Sequence, residues 1–243
     1  MNGATLKKKA LAYAEQLKGI KKEIDRNFPW YPYGILNNFI HLEPILAEYE
    51  LESLTADKRV ADIGAADGDL AFFMETLGYT VDVIDHAPTN FNSLRGIGLL
   101  KDKLASKVSI HDIDLDSYFQ LPAESYDLVF FLGILYHLKN PYFVLESLAR
   151  RTRHLLVSTR VARFTPEGLA IKDTAVAYLL NPDESNNDAT NFWIFSERAL
   201  KRLFARTGWD VLAYHTVGDT KTSDPARADR DERAFALLRS RVP

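Results

Sequence analysis

Cysteine is absent from the sequence, and its absence excludes several kinds of chemistry. Of the 243 residues, 0 are cysteine. Disulfide scaffolds, iron–sulfur clusters and zinc sites with Cys ligands are therefore excluded, as is catalysis by a cysteine nucleophile. The 6 histidines are dispersed and show no HExxH-like spacing, so no metal site is predicted.

Long apolar runs and a strong charge of one sign are also missing. No stretch approaches the roughly 18 apolar residues of a membrane-spanning helix, and Lys7, Lys8 and Lys9 precede no apolar segment of a signal peptide. The formal net charge is -3, so the chain lacks a global cationic field for nucleic acid. We therefore expect a cytoplasmic protein without a membrane partner. Its hydrophobic content of 47% is enough for a substantial core.

Residues 1–54 are predicted to form an N-terminal cap of helices and aromatic side chains. Residues 4–26 predict a helix whose apolar stripe consists of Leu6, Ala10, Tyr13, Leu17, Ile20 and Ile24. This stripe predicts either docking on the main domain or a homodimer through this helix. Residues 27–38 are rich in rings and turn residues, and a second helical pattern runs through 42–54.

Short apolar strands alternate with helical patterns after residue 59. The predicted strands are 60–63, 80–84, 108–110, 126–132 and 155–159. A helix is predicted over residues 90–104, with interruptions at Gly96 and Gly98. Alternating strands and helices predict βαβ units and a parallel sheet. Near-continuous apolar strands predict a sheet that is covered on both faces.

The last third of the chain departs from this alternation. Residues 161–192 contain Pro, Gly and a polar run, and are predicted to be an insertion. Ser196 is the predicted N-cap of a following helix, which ends before Gly208. Two further strands are predicted over 209–217 and 234–238.

These patterns predict an α/β fold of the Rossmann-like type. Its sheet has seven strands, is mostly parallel and lies in residues 55–243, and the helical cap of residues 1–54 precedes it.

The strongest local signal is the segment Asp62–Gly68, with the sequence DIGAADG, between a strand and a helix. Its small residues allow a ligand to approach the backbone closely. Asp85 ends the next strand, where a carboxylate can accept hydrogen bonds from both hydroxyls of a ribose. Open α/β sheets bind ligands at the carboxyl ends of their strands, so the segment predicts a nucleoside site.

Two cofactor classes use such a loop. The G-x-G-x-x-G register of dinucleotide enzymes would place Gly64, Ala66 and Asp69 at its three positions. An acid at the third position would repel pyrophosphate, which argues against NAD. The spacing D-x-G-x-A-x-G instead resembles the first motif of class I methyltransferases that use S-adenosylmethionine (SAM). In that superfamily an acid helps to hold the cationic amino end of the cofactor.

The resemblance extends over roughly residues 59–239 and implies a set of cofactor contacts. They are Asp62, Gly64, Ala65, Ala66, Gly68, Asp85, His86, Asp112, Ile113 and Leu132. Asp112 would lie beside the adenine and Ile113 over its face, although an ordinary turn position is an alternative for Asp112.

A narrower resemblance concerns residues 133–141 (GILYHLKNP) and 191–209 (NFWIFSERALKRLFARTGW). Both are similar to the tRNA wobble-uridine carboxymethyltransferases, which use carboxy-SAM. The resemblance implies that Tyr136 contacts the carboxylate of that cofactor, with Arg233 as a loosely aligned partner. The family's lysine ahead of the first motif has no counterpart in residues 27–38, which favours SAM over carboxy-SAM.

Few side chains are candidates for acid–base catalysis at the methyl acceptor. His137 follows the fourth predicted strand and is a candidate general base, with Tyr136 beside it as a second candidate catalytic residue. Both residues also have a non-catalytic interpretation. His137 would then only form hydrogen bonds with the backbone, and Tyr136 would only pack in the core. Six residues are predicted to line an acceptor pocket under a lid: Trp30, Tyr31, Tyr33, Tyr178, Asn191 and Trp193.

The resulting expectation is a SAM-dependent methyltransferase that acts on an oxygen or nitrogen of a small molecule. Two alternatives stay open. One is a tRNA wobble-uridine (carboxy)methyltransferase, with basic residues such as Arg198 and Arg202 available for phosphate. The other is a SAM-binding protein without catalysis.

Overall fold

The structure is a computed structural model that describes residues 1–242. The chain divides into two structural units, with the boundary between Phe130 and Phe131. The elements that begin in the first unit are α1 (Gly3–Ile24), α2 (Asn38–Glu48), α3 (Leu51–Leu54), β1 (Arg59–Ile63), α4 (Asp69–Thr76), β2 (Thr80–Asp85), α5 (Arg95–Leu104), β3 (Ser109–Asp112) and β4 (Tyr126–Leu132). Those of the second unit are α6 (Pro141–Ala149), β5 (Thr152–Ala162), β6 (Ala177–Leu179), β7 (Trp193–Ser196), α7 (Glu197–Arg206), β8 (Trp209–Gly218) and β9 (Glu232–Ser240).

The strands of the first unit are all parallel, in the order β3-β2-β1-β4. Strands β1, β2 and β4 are largely buried because both of their faces are covered. The register pairs Ile63 with Ile84 and Asp85 with Asp112. The carboxyl ends of β1, β2 and β3 therefore meet at one edge, where the glycine loop follows β1.

The N-terminal helix α1 packs on α2 within the first unit. Asn2 caps α1 by accepting a hydrogen bond from the Thr5 amide at 3.0 Å. Leu6, Ala10 and Leu17 of the apolar stripe are fully buried, so the stripe docks within the chain. A homodimer through this helix stays a prediction, and it would have to use a face of α1 other than this buried stripe.

Helix α5 starts later than the sequence pattern predicts. It begins at Arg95 rather than at residue 90, because the preceding residues form turns and Leu94 adopts left-handed backbone angles with φ 63°. Gly96 and Gly98 do not interrupt it. Gly96 is buried against the Asp67 and Asn92 side chains, where a Cβ atom would collide.

The second unit has the strand order β6-β7-β5-β9-β8. β5 and β7 are parallel, and the other pairs are antiparallel. All seven expected strands are present, but the described residues contain nine, because β6 and β7 are added. The three residues of β6 lie inside the predicted insertion 161–192, where no alternating pattern marks them. The division into residues 1–54 and 55–243 remains an expectation.

Membrane-spanning segments are not found among residues 1–242, since none of their helices combines the length and apolar character that a bilayer requires.

Candidate active site

The glycine loop between β1 and α4 has an unusual backbone. Gly64, Ala66 and Gly68 all have positive φ angles, of 70°, 56° and 82°. The Gly68 amide donates to the Ala65 carbonyl oxygen at 2.7 Å, which makes the turn tight. A Cβ atom on Gly68 would meet Phe72 and Ile97 at 3.0 and 3.2 Å. The loop therefore needs small residues for its own geometry, and their smallness leaves the backbone open to a ligand.

Asp62 is the penultimate residue of β1, and one oxygen of its buried carboxyl group lacks a partner within residues 1–242. Its relative exposure is 4%, and its Oδ2 atom has no hydrogen-bond partner among the described residues. Burial raises the pKa of Asp62 to about 8, and the nearby Asp85 carboxylate adds to the shift, while the Ala71 amide acts against it. An unpaired buried oxygen at this loop is suited to a cationic group of a ligand.

Asp85 lies at the carboxyl end of β2 and faces the same loop. Its Oδ1 accepts from the His86 amide at 2.8 Å, and its Oδ2 accepts from Asn90 Nδ2 at 3.0 Å. Asn90 Nδ2 also donates to the Ala66 carbonyl oxygen at 3.1 Å. Burial raises the pKa of Asp85, and the His86 and Asn90 hydrogen bonds act against that shift. Asp85, the residue predicted to bind the ribose, is therefore held in a fixed orientation beside the loop.

The remaining predicted contacts of the first unit lie where β2 and β3 end. Asp112 Oδ1 accepts from the Ala87 amide at 2.9 Å and lies 3.4 Å from His86 Nδ1. The Ile113 amide donates to the Asp85 carbonyl oxygen at 2.8 Å. The Asp112 side chain is largely exposed, which leaves room for a ligand beside it.

The structure adds residues at this loop that the sequence did not indicate. Lys21 of α1 forms ion pairs with Asp67 and Asp69, both at 2.8 Å. Asn92 Nδ2 donates to Asp67 Oδ1 at 2.8 Å. No local pattern distinguishes Lys21 from the other lysines of α1, because its partners lie more than 40 positions away, with a separation of 46 for Asp67.

The aromatic segment 27–38 contacts the glycine loop through the backbone amide of Tyr31. The Tyr31 amide donates to Asp67 Oδ2 at 2.9 Å, and the Tyr31 hydroxyl accepts from the Phe91 amide at 2.9 Å. Trp30 Nε1 donates to the Asp25 carbonyl oxygen, and its ring lies 4.5 Å from that of Phe28. Tyr33 is 71% exposed.

In the second unit, Tyr136 and Arg233 come together after the end of β4. Arg233 Nη1 lies 3.4 Å from the Tyr136 hydroxyl, and its guanidinium carbon lies 5.7 Å from the ring centre. Asp231 Oδ2 accepts from Arg233 Nε at 3.0 Å, so the other edge of the guanidinium faces Tyr136. Gly133 borders the pair with φ 79°. Leu132 is buried at the end of β4.

His137 is held in one tautomer by its neighbours. Its Nδ1 lies 3.1 Å from both the carbonyl and the hydroxyl oxygen of Thr190. The hydroxyl proton of Thr190 is donated to Asp188 Oδ1 at 2.6 Å. Both Thr190 oxygens therefore act as acceptors, Nδ1 carries the proton, and Nε2 keeps its lone pair. Burial lowers the pKa of His137, with Arg233 acting in the same direction and Thr190 and Asp188 in the opposite one.

The three other predicted pocket residues also belong to the second unit. Tyr178 packs against an apolar cluster that contains Tyr136, and its hydroxyl donates to Glu184 Oε1 at 2.9 Å. Asn191 Nδ2 donates to the Ser185 carbonyl oxygen at 3.1 Å, whereas its buried Oδ1 has no hydrogen-bond partner among the described residues. Trp193 Nε1 donates to the Lys139 carbonyl oxygen at 3.3 Å.

Among residues 1–242, no group of three or more His, Asp or Glu side chains could hold a metal ion.

The carboxyl groups and the glycine loop of the first unit fit SAM. The cofactor has a cationic amino group and sulfonium, and Asp62 offers an uncompensated buried oxygen for such a charge. Its ribose hydroxyls match the oriented carboxylate of Asp85, while the loop lacks the side-chain bulk that would exclude a ligand. Asp67 and Asp69 together carry more negative charge than Lys21 neutralises, which disfavours a pyrophosphate beside the loop.

Fold and site together define an α/β nucleotide-cofactor enzyme. A sequence model of the methyltransferase domain family matches residues 18–214, and the chain belongs to that family. It is a SAM-dependent methyltransferase. A comparison with curated proteins gives no match.

Solved structures share the fold at low sequence identity. The N-terminal domain of EvdMO1, crystallised with S-adenosylhomocysteine (SAH) bound, is 14% identical with a TM-score of 0.57; the match covers 93% of this chain and 97% of that one. The [4+2]-cyclase SpnF is 15% identical with a TM-score of 0.59 and coverages of 88% and 87%. TehB from Haemophilus influenzae is 19% identical with a TM-score of 0.52 and coverages of 81% and 66%. The narrower resemblance to tRNA carboxymethyltransferases receives no support from these matches.

Proposed function

We propose that this methyltransferase transfers a methyl group from SAM to an oxygen or nitrogen nucleophile of a small-molecule acceptor. The observation that carries the proposal is the tautomer of His137. Thr190 accepts from Nδ1 and leaves the Nε2 lone pair as a base. Because burial lowers its pKa, the imidazole is largely neutral near pH 7 and able to take a proton from a hydroxyl or ammonium group.

The residues of the first unit are proposed to hold the cofactor. Asp85 binds the ribose hydroxyls, Asp62 faces the cationic end, and Asp112 and Ile113 border the adenine. The SAH bound in the EvdMO1 domain is the product that SAM leaves after methyl donation, which supports this assignment. Bound SAM supplies an electrophilic methyl group, and the chain's own residues orient it and exclude water.

The acceptor is proposed to contact residues of the second unit. The cluster of Tyr136, Ala162, Ile171, Leu180 and Ile194 offers an apolar wall. Asn191 adds a buried oxygen that can accept a hydrogen bond from the acceptor. An apolar wall with few directed polar groups is typical of small-molecule pockets.

A second candidate function is carboxymethyl transfer from carboxy-SAM, as in the tRNA wobble-uridine enzymes. The contact between Tyr136 and Arg233 favours it, because a phenol and a guanidinium edge together can bind a carboxylate. The net charge of -3 argues against a nucleic-acid acceptor.

Ligand identity and product formation test the proposal. Mass spectrometry of the ligand that co-purifies with the protein should find SAM or SAH, and calorimetric competition should rank SAM above carboxy-SAM and NAD. SAH should form on incubation with a fractionated small-molecule extract, and not with tRNA alone. His137→Gln should abolish this SAH formation while His154→Gln retains it. SAH formation with tRNA only, or tighter binding of carboxy-SAM, would favour the second candidate.

A further inference from the structure

The ammonium group of Lys21 connects the N-terminal helix to the cofactor loop. Lys21 Nζ lies 2.8 Å from Asp67 Oδ2 and 2.8 Å from Asp69 Oδ1. The side chains of the three residues are only 12%, 1% and 11% exposed. Lys21, Asp67 and Asp69 thus form a nearly buried ion triad, in which one ammonium group pairs with two carboxylates.

The backbone of the glycine loop is strained, so it requires contacts such as these ion pairs to keep its conformation. Ala66 has a φ of 56°, a left-handed conformation that residues other than glycine keep only when their surroundings enforce it. The next side chain, Asp67, is the anchor: Oδ2 accepts from Lys21 and from the Tyr31 amide, and Oδ1 accepts from Asn92. Lys21 supplies the one full positive charge in this set of contacts.

The charge balance also depends on Lys21. Burial alone would lower the pKa of its ammonium group, but Asp69 and Asp67 more than offset burial, and the pKa is raised. Burial raises the pKa of Asp69. Lys21 counteracts this rise, and Asp67 adds to it. Without Lys21, two buried carboxylates would repel each other beside the strained loop.

We propose that Lys21 is a positioning residue of the cofactor site: it holds Asp67 and Asp69 so that the Gly64–Gly68 backbone keeps its cofactor-accepting form. Helix α1 is then part of the cofactor site rather than an accessory cap. The proposal rests on the assignment of the glycine loop under the proposed function. Lys21 acts through the loop acids and is not assigned a contact with the cofactor.

Calorimetry with SAH on the full chain tests the proposal. Lys21→Met should weaken SAH binding by about tenfold or more, because breaking a buried ion pair leaves uncompensated charge. Lys21→Arg, which keeps the charge, should stay within about threefold of the wild type. Lys22→Met, an exposed neighbour on the same helix, is the matched control and should bind SAH normally. Lys21→Gln replaces Lys21→Met if the latter does not fold.

A pH series separates positioning from a general loss of stability. The defect of Lys21→Met should shrink as the pH falls, because burial raises the pKa of Asp69 and its protonation relieves the repulsion from Asp67. The other titratable groups that face this triad are Asp62, Tyr13 and Tyr31, and both tyrosines have raised pKa values that keep them neutral. The defect of Lys21→Met should therefore grow as the pH rises.

Three outcomes would overturn the inference. They are unchanged SAH affinity in a folded Lys21→Met chain, an equal loss in Lys22→Met, and a pH-independent loss that Lys21→Arg does not rescue. If the wild-type chain fails to bind SAH, the assignment of the loop itself is wrong, and the inference falls with it.

Discussion

Asp85 Oδ2 accepts a hydrogen bond from Asn90 Nδ2 at 3.0 Å. The same amide nitrogen lies 3.1 Å from the Ala66 carbonyl oxygen, so one asparagine links the end of β2 to the strained residue of the glycine loop. This link fixes the carboxylate of Asp85 before any ligand arrives. A preorganised group loses little freedom on binding, which increases affinity.

The first prediction follows from that carboxylate. Asp85→Ala should weaken SAM binding by about 2–4 kcal/mol, because the ribose hydroxyls lose a charged hydrogen-bond partner. Calorimetry on the folded variant measures the change. Asp102→Ala, on the exposed side of α5, is the control and should bind SAM as the wild type does. Unchanged affinity in a folded Asp85→Ala chain would contradict the ribose assignment.

The second prediction concerns the pH dependence of stability. Burial, followed by the Asp85 charge, raises the pKa of Asp62 from 3.8 to about 8. The folded chain therefore binds more protons at this group than the unfolded chain between these two pH values. The free energy of unfolding of the ligand-free protein should accordingly fall as the pH rises from about 4 to about 8.

Urea unfolding at a series of pH values measures this slope, and Asp62→Asn should reduce it, because an amide does not titrate. A cationic ligand should also favour the ionised form of Asp62, so SAM binding near pH 7 should release protons. Calorimetry in two buffers of different ionisation enthalpy detects that release. Equal slopes for the wild type and Asp62→Asn would show that this carboxyl group is not perturbed.

The third prediction concerns the protonation of His137. Nitrogen-15 NMR should find the proton on Nδ1, because both Thr190 oxygens are acceptors. The imidazole should titrate below its ordinary pKa of 6.5, since burial disfavours the cation. Thr190→Val removes one of the two acceptors and should lower the pKa no more than modestly, because the carbonyl oxygen stays. A proton on Nε2, or a pKa above 6.5, would argue against His137 as the base.

The parts of this site that could be predicted are those coded by local sequence. The strand that leads into Asp62–Gly68 and the helix that follows it each show a continuous apolar pattern in the sequence. Asp85 follows the next apolar strand. In a parallel sheet these positions necessarily converge at one edge. Ser196 is confirmed as the N-cap of α7 for the same reason: its Oγ accepts from the Ala199 amide, three residues away.

The parts that could not be predicted depend on distant contacts. Lys21 meets Asp67 across 46 positions, and Asn92 meets the same carboxylate across 25. In sequence, Lys21 belongs to an ordinary solvated helix face, and Asn92 to the first turn of a predicted helix, whereas the structure places Asn92 in a turn before α5. Strand β6 is too short to show alternation, and its pairing with β7 defines it. Only the folded chain reveals which of several equivalent polar residues reach the loop.

The fourth prediction is that residues 27–38 and 161–192 form ligand-responsive covers that determine acceptor specificity. In the first segment, the Tyr31 amide is bonded to Asp67 of the glycine loop, and Asn92 Nδ2 donates to the Pro29 carbonyl oxygen at 3.3 Å. A ligand that orders the loop should therefore order this segment as well. In the second segment, the buried Oδ1 of Asn191 has no partner among the described residues and is available to a ligand.

Hydrogen exchange with and without SAH tests this prediction. Protection should increase over residues 27–38, and a small-molecule acceptor added with SAH should extend the effect to 161–192. Tyr31→Phe removes only the hydroxyl that accepts from the Phe91 amide, so it should increase exchange in the first segment while the fold persists. Trp30→Ala and Trp193→Ala should lower acceptor turnover more than they lower the melting temperature. If both segments are fully protected without ligand, and these variants lose stability but keep turnover, the segments are parts of the core and the prediction is wrong.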